Sequence, residues 1–345
     1  MFNLFKYFFK KRINVLIALS VIVTVAFAVI IGTSRLVIIQ YDTTIRDTIT
    51  VPNLYVLVVY PIILFLLAFF VPSFEFSFKM KKRGIDQMYS LPIKREKLYL
   101  VKFLICLCEI VIPFIIGSLI SIFVIMSMEH MYNLAMFIPF FLLLTVCSIG
   151  VTLISSCAFI HQNTEIDGVV NSFFVFVVLA ISVSALNILS FKLFDYKFKF
   201  VLPEDYFLIS PLISIYNGIA PLLGKDYEKY YNWEINNTIA IIVFVLLSIG
   251  AFFLSYYHIK KEKSEYSQQI SSSLFGYRLF IPIFAIAISI NVSEVNVLLF
   301  LYQIVTYFLY VLYLRKFKLD KKYALIVALL ILVSVVIGLA MHAIK

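Results

Sequence analysis

Charge is what this chain has least of. Asp, Glu, Lys and Arg make up 14% of its 345 residues, and 63% are hydrophobic; an ordinary soluble domain carries about 25% charged residues. That balance excludes a soluble globular protein and predicts an integral membrane protein. Histidine is scarce too. His130, His161, His258 and His342 sit near the ends of apolar runs and share no metal-ligand spacing, so no HExxH-type site is expected. Cys106, Cys108, Cys147 and Cys157 all lie inside apolar runs with no CxxC pair, and read as small reduced hydrophobes rather than disulfides or metal ligands. No GxxxxGK(S/T) loop occurs, and the nearest Gly-Lys pair, Gly224-Lys225, is followed by Asp226, so this route to a bound triphosphate is closed. No Ser/His/Asp arrangement stands out either. The expectation is a chain with no catalytic residue, metal or cofactor of its own.

What the chain has is long apolar runs. Those of bilayer-crossing length, about 17 to 25 residues, are 13–34, 54–74, 103–126, 134–160, 169–189, 238–257, 297–314 and 324–341, with a shorter ninth at 279–290. The first lacks a small-residue cleavage site after a short core, so it reads as a span and not a signal peptide. Before it, MFNLFKYFFKKR sets Phe5, Phe8 and Phe9 against Lys6, Lys10 and Lys11, the pattern of an interfacial amphipathic helix. With nine spans, 21 of the 29 Lys and Arg residues fall on the side of the N-terminus and 8 on the other, which predicts a cytoplasmic N-terminus. The net charge of +10 therefore reads as membrane orientation, not nucleic-acid binding.

Segment 190–237 is too apolar in its middle for a solvated loop, yet counting it as a crossing abolishes the charge bias. Pro203, Pro211, Pro221 and Gly218 suggest broken, re-entrant helices entering from the outer face, where protein or water must cover them. After His258 comes a polar linker and then further spans, giving two expected regions, 1–258 and 259–345.

Eight of the basic residues lie in one 25-residue stretch, Phe78 to Lys102, between two apolar runs. Within it, Ile85, Met88 and Tyr89 fall at helical spacing, which predicts a short amphipathic helix over 84–92, started at Gly84 and stopped before Pro92. An apolar helical face at a cytoplasmic loop is expected to dock against a partner. Inside the spans the sequence offers one charge, Glu109. An intramembrane carboxylate is a functional candidate, although a neutral or hydrogen-bonded structural role is the favoured reading. Thr145, Ser148, Thr152 and Ser155 with Gly150 form a small-residue stripe that favours close helix packing over a substrate-lining role. Asn171, Ser172, Ser182, Ser184 and Asn187 line the fifth span; with Glu109, Asn171, Ser182 and Asn187 are candidates for a substrate path.

Glu75 closing the second run, then Arg83-Gly84, Ser90-Leu91-Pro92-Ile93, Arg95 and Lys102, resemble the loop of ABC-2 type transporter permeases. The resemblance covers about residues 1–258, and the added C-terminal spans resemble a subset of Gram-positive members. It implies an all-α membrane protein with a six-span core, re-entrant outer helices and two or three extra C-terminal spans. It implies a coupling helix that sits in a cleft of a separate cytoplasmic ATPase, with Arg83, Gly84, Ile85, Asp86, Met88, Tyr89, Leu91, Pro92 and Arg95 as coupling residues. Two ATPase copies would bind ATP and magnesium, and a second permease copy would complete a homodimer in the lipid bilayer. Where many members place Ser or Thr after Leu-Pro-Ile, this chain has Lys94, which removes a helix cap. Within the family the chain resembles the larger membrane subunit of staphylococcal exporters of phenol-soluble modulins, short amphipathic peptide toxins. Relatives that move lantibiotics, other peptides or lipids stay open, and so, outside the family, does a stand-alone channel or secondary carrier. The carrier is disfavoured by the single intramembrane carboxylate. A membrane enzyme acting on lipid is disfavoured by the lack of a convergent catalytic set.

Overall fold

The computed structural model describes residues 2–34, 37–42, 47–128, 132–194, 212, 235–261, 269, 271, 273–292 and 297–343. The re-entrant helices expected within 190–237 fall mostly outside these residues, as does much of the linker after 261. The described chain is overwhelmingly helical, and eight of its helices are long and apolar enough to cross a membrane, as expected of a multi-pass membrane protein.

The elements run α1 (Phe2–Thr33), β1 (Val37–Asp42), β2 (Asp47–Pro52), α2 (Val59–Phe76), α3 (Lys82–Tyr89), α4 (Arg95–Met128), α5 (Phe137–Ile160), α6 (Glu165–Phe194), α7 (Ile235–Lys261), α8 (Leu279–Val292), α9 (Val297–Leu314) and α10 (Lys321–Ala343). The short ninth run, 279–290, lies inside one of the eight membrane-length segments, Phe275–Val292. The run at 297–314 corresponds to α9, of which Leu301–Leu314 forms a shorter apolar helix.

The N-terminal segment leads into the first apolar run without a break: α1 is continuous from Phe2 to Thr33, with neither Gly nor Pro before Gly32. Two expectations change in detail. The short helix of the basic loop is Lys82–Tyr89 rather than 84–92, so Gly84 lies in its first turn and the chain leaves the helix before Leu91-Pro92. Finally, β1 and β2 form an antiparallel pair with Ile39 opposite Thr50, where a plain outer loop was expected. Val and Ile in both strands, with Tyr in β1 and Thr in β2, suit an extended backbone.

Packing divides the described chain into two compact units. The first comprises Met1–Glu75, Pro92–Leu153 and Pro211–Gly250, the second Phe76–Leu91, Ile154–Ser210 and Ala251–Lys345. In the first unit α4 lies along α1, and Gly117 lets them approach: a Cβ there would meet Phe27 at 2.8 Å and Val23 at 2.9 Å. Its core is aromatic. Tyr60 stands 4.7 Å from Phe27 and 4.9 Å from Phe141 between ring centroids, and its buried hydroxyl meets Ser121 Oγ at 2.5 Å. Buried Ser148 and Thr152 bond back to their own helix carbonyls at 2.7 Å. A Cβ at Gly150 would meet Phe244 at 2.5 Å and Ser248 at 2.7 Å, so the small-residue stripe is a close-packed seam with α7, as its composition suggested.

In the second unit α8 packs on α6. Ala185, Ala287 and Ile290 are buried at the contact, and Ser184 Oγ donates to Asn291 Oδ1 at 2.6 Å while Asn291 Nδ2 donates to the Ile181 carbonyl at 3.0 Å. Gln303 of α9 donates to Ser334 of α10 at 2.6 Å. Polar pairs of this kind hold helices together where apolar burial distinguishes little between protein and lipid.

Candidate functional site

The basic loop enters the second unit through a 3₁₀ turn, Ser77–Met80, and continues into α3. The two are pressed together at Gly84, where a Cβ would stand 2.5 Å from the Phe78 carbonyl oxygen and 3.0 Å from its Cα. Only glycine permits this approach of helix to backbone. Ile85, expected on the docking face, is 5% exposed; it anchors α3 within the chain. Met88, Tyr89 and Leu91 are half-buried, whereas Arg83, Asp86, Gln87 and Pro92 are exposed. Arg95 is half-buried and opens α4, in the other unit. The Lys94 carbonyl accepts from Lys97 N at 2.9 Å and from Leu98 N at 3.1 Å, and Lys94 carries no side-chain oxygen of the kind that usually caps a helix.

The segment 77–89 is fastened to the turn between α5 and α6. Buried Lys79 donates to the Ile160 carbonyl, and Lys81 pairs with Glu165 at 2.9 Å. The turn is itself built to begin a helix: Thr164 Oγ1 accepts from Asp167 N at 3.3 Å, and Asp167 Oδ2 accepts from the Thr164 hydroxyl at 2.5 Å. Glu165 and Asp167 place negative charge at the positive end of α6. The Thr164…Asp167 spacing was a readable capping signal; its long-range partner was not. Arg315, after α9, reaches Asp167 Oδ2 at 2.6 Å and Thr164 Oγ1 at 3.2 Å. Ser271 donates to the His161 carbonyl at 2.7 Å, and Tyr313 donates to the Ser271 carbonyl at 2.9 Å. Residues 160–167 thus tie the basic loop to the C-terminal helices.

His161 and His258 lie against each other within this unit, ring centroids 4.1 Å apart and planes tilted by 32°. His161 Nδ1 lies 2.8 Å from the Cys157 carbonyl, which can only accept, so this nitrogen carries the proton. Burial pushes the imidazole down to about 4, opposed by the Cys157 carbonyl bond and assisted by the Lys79 ammonium. The ring is neutral near pH 7. Among the described residues no group of three His, Cys, Asp or Glu side chains is arranged to hold a metal ion.

The first unit holds a charge cluster built from residues at the ends of the apolar runs. Glu75, at the end of α2, meets Arg12 at 2.5 Å and Lys102 at 2.8 Å, and Lys102 also stands 4.9 Å from the centroid of Phe8. Glu75 and Lys102 are buried. The helices Val56–Met80 and Arg95–Ser127 continue past the apolar runs, so Glu75 and Lys102 are buried within the protein as Glu109 is. Glu109 is 3% exposed, and its Oε1 has no hydrogen-bond partner among the described residues.

The remaining path candidates lie on α6, in the second unit. Asn171 is buried and donates to the Ala158 carbonyl at 2.8 Å, leaving its Oδ1 without a hydrogen-bond partner among the described residues. Ser182, half-buried, likewise leaves Oγ without one. Their separation of eleven residues puts both on one helix face, while Asn187 lies off that face and its side chain is outside the described residues.

No family model, no curated protein and no solved structure matches this chain.

Proposed function

We propose that the chain is the membrane-spanning permease subunit of an ATP-driven exporter of the ABC-2 type, with α3 as its coupling helix, a cytoplasmic N-terminus in the cell membrane and ATP hydrolysis carried out by a separate ATPase. In this reading the permease works as a homodimer with two ATPase copies and moves amphipathic or hydrophobic peptides, phenol-soluble modulin-like toxins among them, from the cytoplasm or inner leaflet. The observation that carries the reading is α3 itself. It is a helix of eight residues between two membrane-length helices, fixed at Gly84 and Ile85 yet offering Arg83, Asp86 and Gln87 to solvent and Met88 and Tyr89 in part. A rigidly held amphipathic helix with a mixed polar and apolar outer face suits a protein cleft, where half-exposed Met and aromatic residues are natural anchors.

The test separates docking from folding. A well-packed anchor at an interface centre contributes about 2 kcal/mol or more. Met88→Ala with Tyr89→Ala should release the ATPase or uncouple transport while membrane insertion stays intact. Co-purification and export at normal levels in that double variant would overturn the docking role. Ile85→Ala, by contrast, should act on stability.

A second reading, the stand-alone secondary carrier, gains from one observation. It was disfavoured for having a single intramembrane carboxylate, and the fold buries a second, Glu75. Arg12 and Lys102 neutralise that carboxylate, which keeps the exporter ahead. Efflux that survives ATP depletion and stops with a proton uncoupler would reverse the order.

A further inference from the structure

The loop between α9 and α10 is unlike the other turns of the second unit. Its sequence, Arg315-Lys316-Phe317-Lys318-Leu319-Asp320-Lys321-Lys322, puts five cations around one phenylalanine. Phe317 is 81% exposed. Its position is nevertheless built. Arg315 adopts a left-handed backbone, φ 55°, and is held by Asp167 and Thr164. The Asp320 carbonyl accepts from Tyr323 and Ala324 N at 2.9 and 3.0 Å to begin α10. The Tyr307 hydroxyl donates to the Phe317 carbonyl at 2.8 Å.

That last bond ties the loop to α9. Tyr307 lies seven residues before the end of α9 at Leu314, roughly 10 Å back along an apolar helix at 1.5 Å per residue. Its side chain spans part of that distance, and the backbone at Phe317 meets it beside the helix end. On the other side α10 begins at Lys321, the first residue of a membrane-length apolar segment. Lys316, Lys318, Lys321 and Lys322 are exposed, and Arg315 is the one cation of the loop with a hydrogen bond or ion pair among the described residues. The acid within the loop, Asp320, is exposed as well.

We propose that residues 315–322 form an anionic-lipid anchor, with Phe317 inserted at the headgroup boundary and Lys316, Lys318, Lys321 and Lys322 engaging lipid phosphates. Phenylalanine beside Lys and Arg suits burial at the headgroup–acyl boundary, and basic residues beside a span draw anionic headgroups electrostatically. Charge complementarity selects an anionic lipid over a zwitterionic one, and the direct continuation of the loop into a membrane-length apolar helix at Lys321 selects the bilayer over a soluble partner. The proposal does not depend on which cargo the chain moves or on what drives it.

The experiment uses the full chain with its single tryptophan moved: Trp233→Phe with Phe317→Trp, reconstituted in lipid nanodiscs. Fluorescence is read with phosphatidylglycerol brominated near the headgroup, then with phosphatidylcholine brominated at the same position, both at the same mole fraction. The expected result is stronger quenching by the anionic lipid, weakening as salt is added. Each lysine is worth up to about fivefold in local enrichment. A second variant adds Lys→Gln at 316, 318, 321 and 322, with helix content checked, and should bring the two lipids to equal quenching. Equal quenching before those changes, or none with either lipid, overturns the proposal. So does quenching that is present without a partner ATPase and lost when one binds, which would make the loop a protein contact.

Discussion

Gly84→Ala is the most informative single substitution in the basic loop, because two effects of known sign oppose each other there. Alanine in place of a helical glycine gains about 1 kcal/mol from backbone propensity, part of it through a less flexible unfolded chain. At Gly84 the new methyl would stand 2.5 Å from the Phe78 oxygen, 3.0 Å from its Cα and 3.1 Å from its carbonyl carbon. All three are backbone atoms, so no rotamer change can clear them, and α3 must lift away from the Ser77–Met80 turn. Overpacking of this kind costs about 1–3 kcal/mol, enough to cancel or exceed the gain. Gly250 supplies the control, since a Cβ there meets nothing within 4 Å; Gly250→Ala should keep the gain. The two variants should differ by roughly 1–3 kcal/mol in reversible unfolding of the detergent-solubilised chain. Hydrogen exchange should accelerate over 77–89 in Gly84→Ala alone. If Gly84→Ala proves as stabilising as Gly250→Ala, with unchanged exchange, the close approach of α3 to Phe78 is wrong.

Two further outcomes follow from the buried polar groups. Glu75→Gln leaves Arg12 and Lys102 without their shared anion and should cost about 3–5 kcal/mol, whereas replacing Arg12, Glu75 and Lys102 together by apolar residues of similar volume should cost less; an order reversed in unfolding measurements would refute the triad. His161, lowered by burial to about 4 from an ordinary 6.5, binds fewer protons folded than unfolded between those values, so stability is full above about 6.5 and falls as pH drops toward 4, by about 3 kcal/mol in all. His161→Asn should flatten that slope, and identical pH profiles for both chains would show that His161 is not the titrating group.

The spans were legible because a bilayer sets their length and the apolar runs carry that length directly; the short run at 279–290 becomes the helix Leu279–Val292, preceded by non-helical backbone at Phe275 and Gly276. The hairpin was legible in principle: VIIQYD and DTITVP are rich in β-branched residues, but without an alternation tied to a buried face they resemble a loop. Helix ends were not legible from apolar runs. Arg-Glu-Lys-Leu-Tyr-Leu-Val-Lys at 95–102 contains good helix formers and no breaker, so α4 starts eight residues before the apolar run at 103 that defined its span.

The same displacement of helix ends governs the reading of the charges. A residue just outside an apolar run counts as solvated only while nothing pairs with it, and Glu75 and Lys102, 27 residues apart, pair across two helices with Arg12 of a third. Their mutual neutralisation is what lets the helices carry them inward. Glu109 lies seven residues beyond Lys102, two turns along the same face of α4, and inherits a surrounding of fixed charges that its apolar neighbours Ile105, Cys106 and Ile110 do not announce. Glu109→Gln should therefore be read against Glu75→Gln and not alone. If both impair export equally, the cluster holds α1, α2 and α4 together; if Glu109→Gln selectively reduces export of lysine-rich peptides while unfolding stability stays unchanged, its unpartnered oxygen faces cargo.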